Sequence, residues 1–102
     1  MLYNKLVRDK IPEIIANRGG SAECRILSEE EYRAFLEAKL DEEAGEFHAE
    51  KNAEELADIL EVVFALAEAI GCSRQELMEI YNKKHAERGG FEKKILLISS
   101  ER

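Results

Sequence analysis

The chain has 102 residues, of which 45% are hydrophobic and 36% are charged, and its formal net charge is −7 at pH 7. This length suits one domain, spanning residues 1–102, with a core small enough that packing against further copies would help. The composition argues against disorder, and the acidic excess argues against a nucleic-acid polymer as the main partner, because few counterions would be released on binding.

The first predicted element is a short helix. Asp9 can cap it, Pro12 fits its first turn, and Gly19 with Gly20 stops it. Residues 22–27 then have the β-branched, alternating character of a brief strand.

Two longer helices follow, and each opens with a capping pattern. Ser28 and Glu31 match a capping box, after which apolar residues recur at helical spacing to about Lys51. Asn52 opens a third helix in the same way, and Gly71 ends it. Because the third helix is apolar on much of its circumference, we expect a partner subunit to cover part of it.

The last part of the chain predicts one more helix and a strand. Ser73 with Glu76 starts the fourth helix, which ends near Arg88 before two glycines. Residues 93–98 read as a strand that could pair with residues 22–27 in a small β-hairpin. The predicted fold is therefore mainly α, a helical bundle with a minor hairpin.

The cysteines and the most apolar segment bear on location. Cys24 and Cys72 lie far apart and have neither CxxC nor zinc-finger spacing, so they read as isolated thiols in a reducing compartment. The N-terminus is too charged for a signal peptide, and the apolar run at 59–71 is interrupted by Glu61 and Glu68. We therefore expect a cytoplasmic protein with no membrane partner.

Four carboxylates carry the chemical signal. They form two pairs with a spacing of three residues, Glu43 with Glu46 and Glu55 with Asp58. On helices this spacing places each pair on one face, and an antiparallel hairpin would bring the pairs to the same end. Hard oxygen ligands without histidine select Mg²⁺ or Mn²⁺, which bind phosphates and activate water. Against this, solvated acidic helix faces are common in a chain with 22 acidic residues.

The motif EExxE at residues 42–46, followed by ExxD at 55–58, resembles the signature of the MazG-like all-α nucleoside triphosphate pyrophosphohydrolases, a group that includes phosphoribosyl-ATP pyrophosphohydrolase. YNKLVRDKIPEII and ERGGFEKK also resemble segments of small MazG-like proteins. The resemblance implies an all-α NTP pyrophosphohydrolase-like helical bundle assembled as a homodimer or homotetramer. It also implies bound Mg²⁺ and hydrolysis of a nucleoside triphosphate to the monophosphate and pyrophosphate.

Site residues follow from the same resemblance, position by position. It implies that the metal ligands are Glu43, Glu46, Glu55 and Asp58. We expect a carboxylate, Glu42 or Glu43, to orient the attacking water as the catalytic base.

Four basic residues are candidates for binding the substrate phosphates. Lys84 and Arg88 resemble the KxxxR pair that contacts nucleotide in relatives, although a basic helix end favoured by the helix dipole explains them equally well. Lys5 and Arg8 lie in the family-like N-terminal segment, although capping and salt bridges to the acidic helices would explain them nearly as well.

Two other functions remain open at this point. The protein could hydrolyse phosphoribosyl-ATP in histidine synthesis, or it could be a non-catalytic helical module for oligomerisation or binding. Base preference does not follow from the motifs, because selectivity would depend on a pocket formed partly by a partner subunit from residues with no motif of their own.

Overall fold

The computed structural model describes residues 4–101, which form four helices and no strand. The helices are α1 (Ile11–Asn17), α2 (Glu29–Glu50), α3 (Ala53–Ala69) and α4 (Arg74–Arg88). The mainly α fold predicted from the sequence is confirmed.

The starts of the three long helices are fixed by side-chain caps, as predicted. The Ser28 hydroxyl accepts a hydrogen bond from the Glu31 amide at 3.2 Å, and the Glu31 carboxylate accepts one from the Ser28 amide at 3.1 Å. Ser73 and Glu76 repeat this capping box at α4. At α3 the Asn52 side chain accepts a hydrogen bond from the third backbone amide of the helix at 3.0 Å. These bonds satisfy amides that have no partner within the helix.

The start of α1 differs from the prediction. Lys10, and not Asp9, occupies the N-cap position, and no side chain caps the helix. Pro12 does lie in the first turn, where its missing amide proton costs nothing, and Gly19 ends the segment with a φ of 85°.

A tight connection between α2 and α3 makes the pair an antiparallel hairpin. Lys51 ends α2 in the left-handed conformation (φ 54°, ψ 42°), and the next residue already caps α3. The buried core lies mainly between these two helices and consists, among the described residues, of Leu36, Val62 and Ala67. This hairpin is therefore the element that positions the candidate site.

The fourth helix packs on α3 less extensively than α2 does. Beside this contact the Arg74 guanidinium lies 4.1 Å from the centre of the Phe64 ring, a cation–π arrangement. The molecule is elongated, 60 × 31 × 22 Å, with a radius of gyration of 17.9 Å, whereas a compact chain of this length would have about 13 Å.

The predicted β-hairpin is not formed within the chain. Residues 22–27 and 93–98 have no regular secondary structure, and side chains such as Ile26 (95% exposed) and Leu96 (83% exposed) lie in solvent. An isolated pair of short strands is marginal in water without a further strand or helix to cover it, which is the physical reason for the difference. Over the residues described, no helix has the combined length and apolar character needed to cross a membrane.

Candidate functional site

Three carboxylates from facing helices converge at the α2–α3 connection. Glu43 comes from the last two turns of α2, and Glu55 and Asp58 come from the first two turns of α3. Each offers one oxygen atom, these atoms lie within 4.8 Å of one another, and all three residues are half-buried. The convergence follows from the short connection, since it places the end of one helix beside the start of the next.

The electrostatics of this group disfavour three free negative charges. Loss of solvation, followed by repulsion from Glu46, Asp58 and Glu43, raises the pKa of Glu55 above its ordinary value. A cation among the carboxylates would relieve this repulsion.

The other two acidic positions of the predicted site lie differently. Glu46 is solvent-exposed and is outside the group of three, although its charge acts on Glu55. Glu42 accepts hydrogen bonds from Lys39 Nζ at 3.0 Å and Lys5 Nζ at 3.1 Å. Partial burial would raise the pKa of Glu42, but these two ammonium groups outweigh it and the pKa is lowered. The same contact with Glu42 raises the pKa of Lys5.

The N-terminal segment crosses both helices of the hairpin. Lys5 binds Glu42 on α2, and Arg8 donates a hydrogen bond to Asp58 Oδ1 on α3 at 2.7 Å. Two of the basic residues proposed from the sequence therefore lie directly on the acidic site. Asp58, one of the three converging carboxylates, therefore already has a guanidinium beside it.

Lys39 is a site residue that the sequence reasoning missed. Its ammonium lies between Glu42 and Glu43, at 3.0 and 3.4 Å, and its side chain is only 16% exposed. Its spacing from Glu42 and Glu43 indicated this contact in the sequence, because residues three and four positions apart on a helix face one another.

These side chains surround an open cleft of about 450 Å³, a size in the range of small-molecule sites. Its lining mixes positive, negative and apolar groups and comprises Lys5, Val7, Arg8, Ile11, Lys39, Glu43 and Asp58. The cleft thus offers carboxylates for a cation and, directly beside them, cations for an anion.

The basic pair on α4 is not part of this cleft. Lys84 and Arg88 are exposed in the last two turns of α4, and within residues 4–101 neither lines the cleft or forms an ion pair with the acidic group. The structure brings together Lys5 and Arg8, but not Lys84 and Arg88, with the carboxylates.

The three converging carboxylates suit Mg²⁺ or Mn²⁺. All donors are hard oxygens, and Mg²⁺ in octahedral coordination holds its ligands at about 2.0–2.1 Å, so adjacent ligands lie about 3 Å apart and opposite ligands about 4.2 Å apart. Oxygen atoms within 4.8 Å of one another could reach these separations through shifts of about 1 Å in partly exposed side chains.

Comparison with known proteins adds one relative. No family model matches the chain, and no solved structure matches it. An uncharacterized protein from Mycolicibacterium smegmatis is 53% identical over 45 residues, which cover 44% of this chain and 46% of the relative. The match thus spans slightly less than half of either protein.

Proposed function

We propose that this protein is a MazG-like, Mg²⁺-dependent nucleoside triphosphate pyrophosphohydrolase acting in the cytoplasm on the nucleotide pool. The observation that carries the proposal is the convergence of Glu43, Glu55 and Asp58, of which Glu43 and Asp58 line one cleft together with Arg8 and Lys39. A metal–triphosphate complex combines a hard cation with a polyanion, and this cleft offers complementary groups to both parts. The two free thiols, Cys24 and Cys72, suit a reducing compartment.

The residues at the site have two proposed roles. Glu43, Glu55 and Asp58, with Glu46 after a small movement, would hold Mg²⁺, which supplies Lewis acidity toward phosphate oxygens and lowers the pKa of bound water. Arg8, Lys5 and Lys39 would meet the phosphate oxygens, where charge develops as the bond to the leaving group breaks.

Hydrolysis requires a base near the attacking water. The water oxygen bonds to the α-phosphorus, the bond from that phosphorus to the bridging oxygen breaks, and pyrophosphate leaves. Of the two carboxylates expected to take the proton, Glu42 already accepts a hydrogen bond at each of its two oxygens, from Lys5 and from Lys39. We therefore assign the alignment of Lys5 and Lys39 to Glu42, and the base to Glu43 through the oxygen that would not hold the metal.

Self-association as a homodimer or homotetramer is part of the proposal. The chain exposes 9387 Å², whereas a compact monomer of its mass, 11.6 kDa, exposes about 5,800 Å². Exposed apolar side chains on one face of α3 contribute to this excess, with Leu56 51% and Leu60 50% exposed, and Ile70, directly after the helix, is 75% exposed. A second copy would cover this face and reduce the excess.

The test is pyrophosphate release from a panel of ordinary and modified NTPs and dNTPs, with Mg²⁺, Mn²⁺ or EDTA. Asp58→Asn removes a charge from the converging group, and Glu54→Gln removes one from an exposed position in the same first turns of α3. We expect metal-dependent release that falls at least about 100-fold in Asp58→Asn and is unchanged in Glu54→Gln.

The same experiment separates the alternatives. No release from the panel, together with metal-dependent hydrolysis of phosphoribosyl-ATP, would identify that substrate instead. No turnover of any of these compounds, with or without metal, would contradict the enzymatic proposal and leave a non-catalytic binding module.

A further inference from the structure

Two segments of this chain have the pattern of β-strands but no strand partner. In the part of the chain that the structure describes, the backbones of residues 22–27 and 95–98 make no hydrogen bonds with other backbone groups, and the turn before the second segment is closed by the Lys94 amide, which donates to the Phe91 carbonyl at 3.0 Å. Each segment is joined to a helix: residues 22–27 lead into α2, and residues 89–101, called the tail below, follow α4.

Leaving the tail without a partner is costly, because its apolar side chains are then exposed to water. Residues 95–98 are four consecutive aliphatic residues, each at least 75% exposed, and Phe91 before them is 97% exposed. In the other segment Ile26 is 95% exposed. A run with high β-propensity, no charge and no proline is prone to pair with another strand edge.

We propose that residues 22–27 of one copy pair, as a β-strand, with residues 95–98 of a second copy, and that the reciprocal pair forms in the same dimer. The proposal rests on the self-association proposed above and is independent of the catalytic assignment. It supplies backbone hydrogen bonds to both segments and covers their aliphatic side chains at once.

A second copy of the chain is the strand partner that the structure favours. Both halves of the pairing are present on this one chain, so a two-fold dimer satisfies them reciprocally and leaves no open end that would continue into a fibre. One charge pairing is also available, since Glu23 lies on one segment and Lys93 and Lys94 directly precede the other, while Arg25 is already paired with Glu31 of its own chain.

The exposed area agrees with an extensive interface. The chain exposes about 3,500 Å² more than a compact monomer of its mass would, which is about 7,000 Å² for two copies. Obligate homodimers bury about 2,000–5,000 Å² or more in total, so two copies have enough excess surface for an interface of that size.

The first test is sedimentation velocity over a range of concentrations. Successive side chains of a strand point to opposite faces, so the double variant Ile95→Asp with Leu96→Asp places a charge on whichever face is covered. We expect its dimer dissociation constant to rise at least about 10-fold, the result of losing one well-packed apolar contact. The matched control, Ser99→Asp with Ser100→Asp, adds the same charge beyond the strand and should not change the constant.

Cys24 provides a second test that identifies the pairing itself. In a Cys72→Ser background, a cysteine is introduced in turn at positions 95, 96 and 97, and the protein is oxidised and separated on a non-reducing gel. We expect a disulfide-linked dimer from at least one position, and we expect Cys24→Ser to abolish it.

Each contrary outcome overturns the proposal. A cross-linked dimer that persists without Cys24 means that two tails pair with each other, and a cross-linked monomer means that the segments pair within one chain. Absence of a link at all three positions excludes the pairing. A wild-type protein that is monomeric at every concentration overturns self-association as well, whereas an unchanged dimer in the tail variant overturns strand exchange alone.

Discussion

At the scale of single residues, Lys39 is the side chain whose removal would be felt both by the fold and by the site. It neutralises Glu42 and Glu43 together from a largely covered position. Lys39→Met keeps the length and apolar stem but leaves two adjacent carboxylates without this cation. We expect the metal-free variant to lose about 1 kcal/mol of stability.

Mg²⁺ should offset part of this loss, because it supplies positive charge to Glu43, the one of these two carboxylates proposed to hold the metal. Thermal unfolding with and without Mg²⁺ measures both effects, and Lys83→Met, at an exposed position on α4, is the control. An equal loss of stability in Lys39→Met and Lys83→Met would contradict the role assigned to Lys39.

A second prediction at this scale concerns pH. Hydrogen bonds from Arg25, and then from the backbone of Ser28, lower the pKa of Glu31 to about 2. A lowered folded-state pKa stabilises the fold above the ordinary value of 4.5, and this contribution disappears as the pH falls toward 2. Glu31→Gln should therefore be less stable than the wild type at pH 7 and nearly equal to it at pH 2.

Urea unfolding at pH 7, 4 and 2 measures this convergence. Glu30→Gln is the matched control, since it lies in the same first turn of α2 and is exposed. If the difference between Glu31→Gln and the wild type stayed constant with pH, the ion pair with Arg25 would not be its origin.

At the scale of elements, the connection between α2 and α3 stores a small strain at Lys51. Its φ of 54° lies in the left-handed region, which costs a residue with a side chain about 1 kcal/mol relative to glycine. Lys51→Gly should raise the free energy of unfolding by about 0.5 kcal/mol after the greater freedom of glycine in the unfolded chain is counted. Lys51→Ala keeps the strain and is the control in urea unfolding. A Lys51→Gly protein less stable than Lys51→Ala would contradict the prediction.

Helix ends were predictable from the sequence because they depend on neighbouring residues. A serine followed three residues later by glutamate encodes both hydrogen bonds of the box at Ser28 and at Ser73. The strands predicted at 22–27 and 93–98 are not formed within the chain, because a strand needs a partner that the sequence pattern does not locate.

At the site, too, some features were predictable from the sequence and others were not. Spacing predicted that acids from both helices would meet, and Glu43, Glu55 and Asp58 do so. The spacing of Lys39 from Glu42 and Glu43 was a usable signal for its contact with them, whereas the position of Lys84 away from the cleft was not predictable, because it depends on how α4 packs.

At the scale of the whole molecule, stability and assembly should be inseparable. Only Leu36, Val62 and Ala67 are buried among the described residues, and so small a core leaves little to oppose the conformational entropy of the unfolded chain. If the folded chain is maintained by association, its melting temperature must rise with protein concentration. For a dimer of this length, whose unfolding enthalpy is about 140 kcal/mol, we expect about 3–4 °C for each tenfold increase.

The variant Leu60→Asp tests the same prediction at a single residue of α3. The side chain is 50% exposed on α3, so a single chain loses little when it is replaced, whereas an interface over that face loses an apolar contact and gains a buried charge. The variant should melt at lower temperature at every concentration and sediment as a smaller species, while Glu61→Asp, its exposed neighbour, should behave as the wild type. A melting temperature that is independent of concentration would mean that each chain is stable alone, and the exposed face of α3 would then need another explanation.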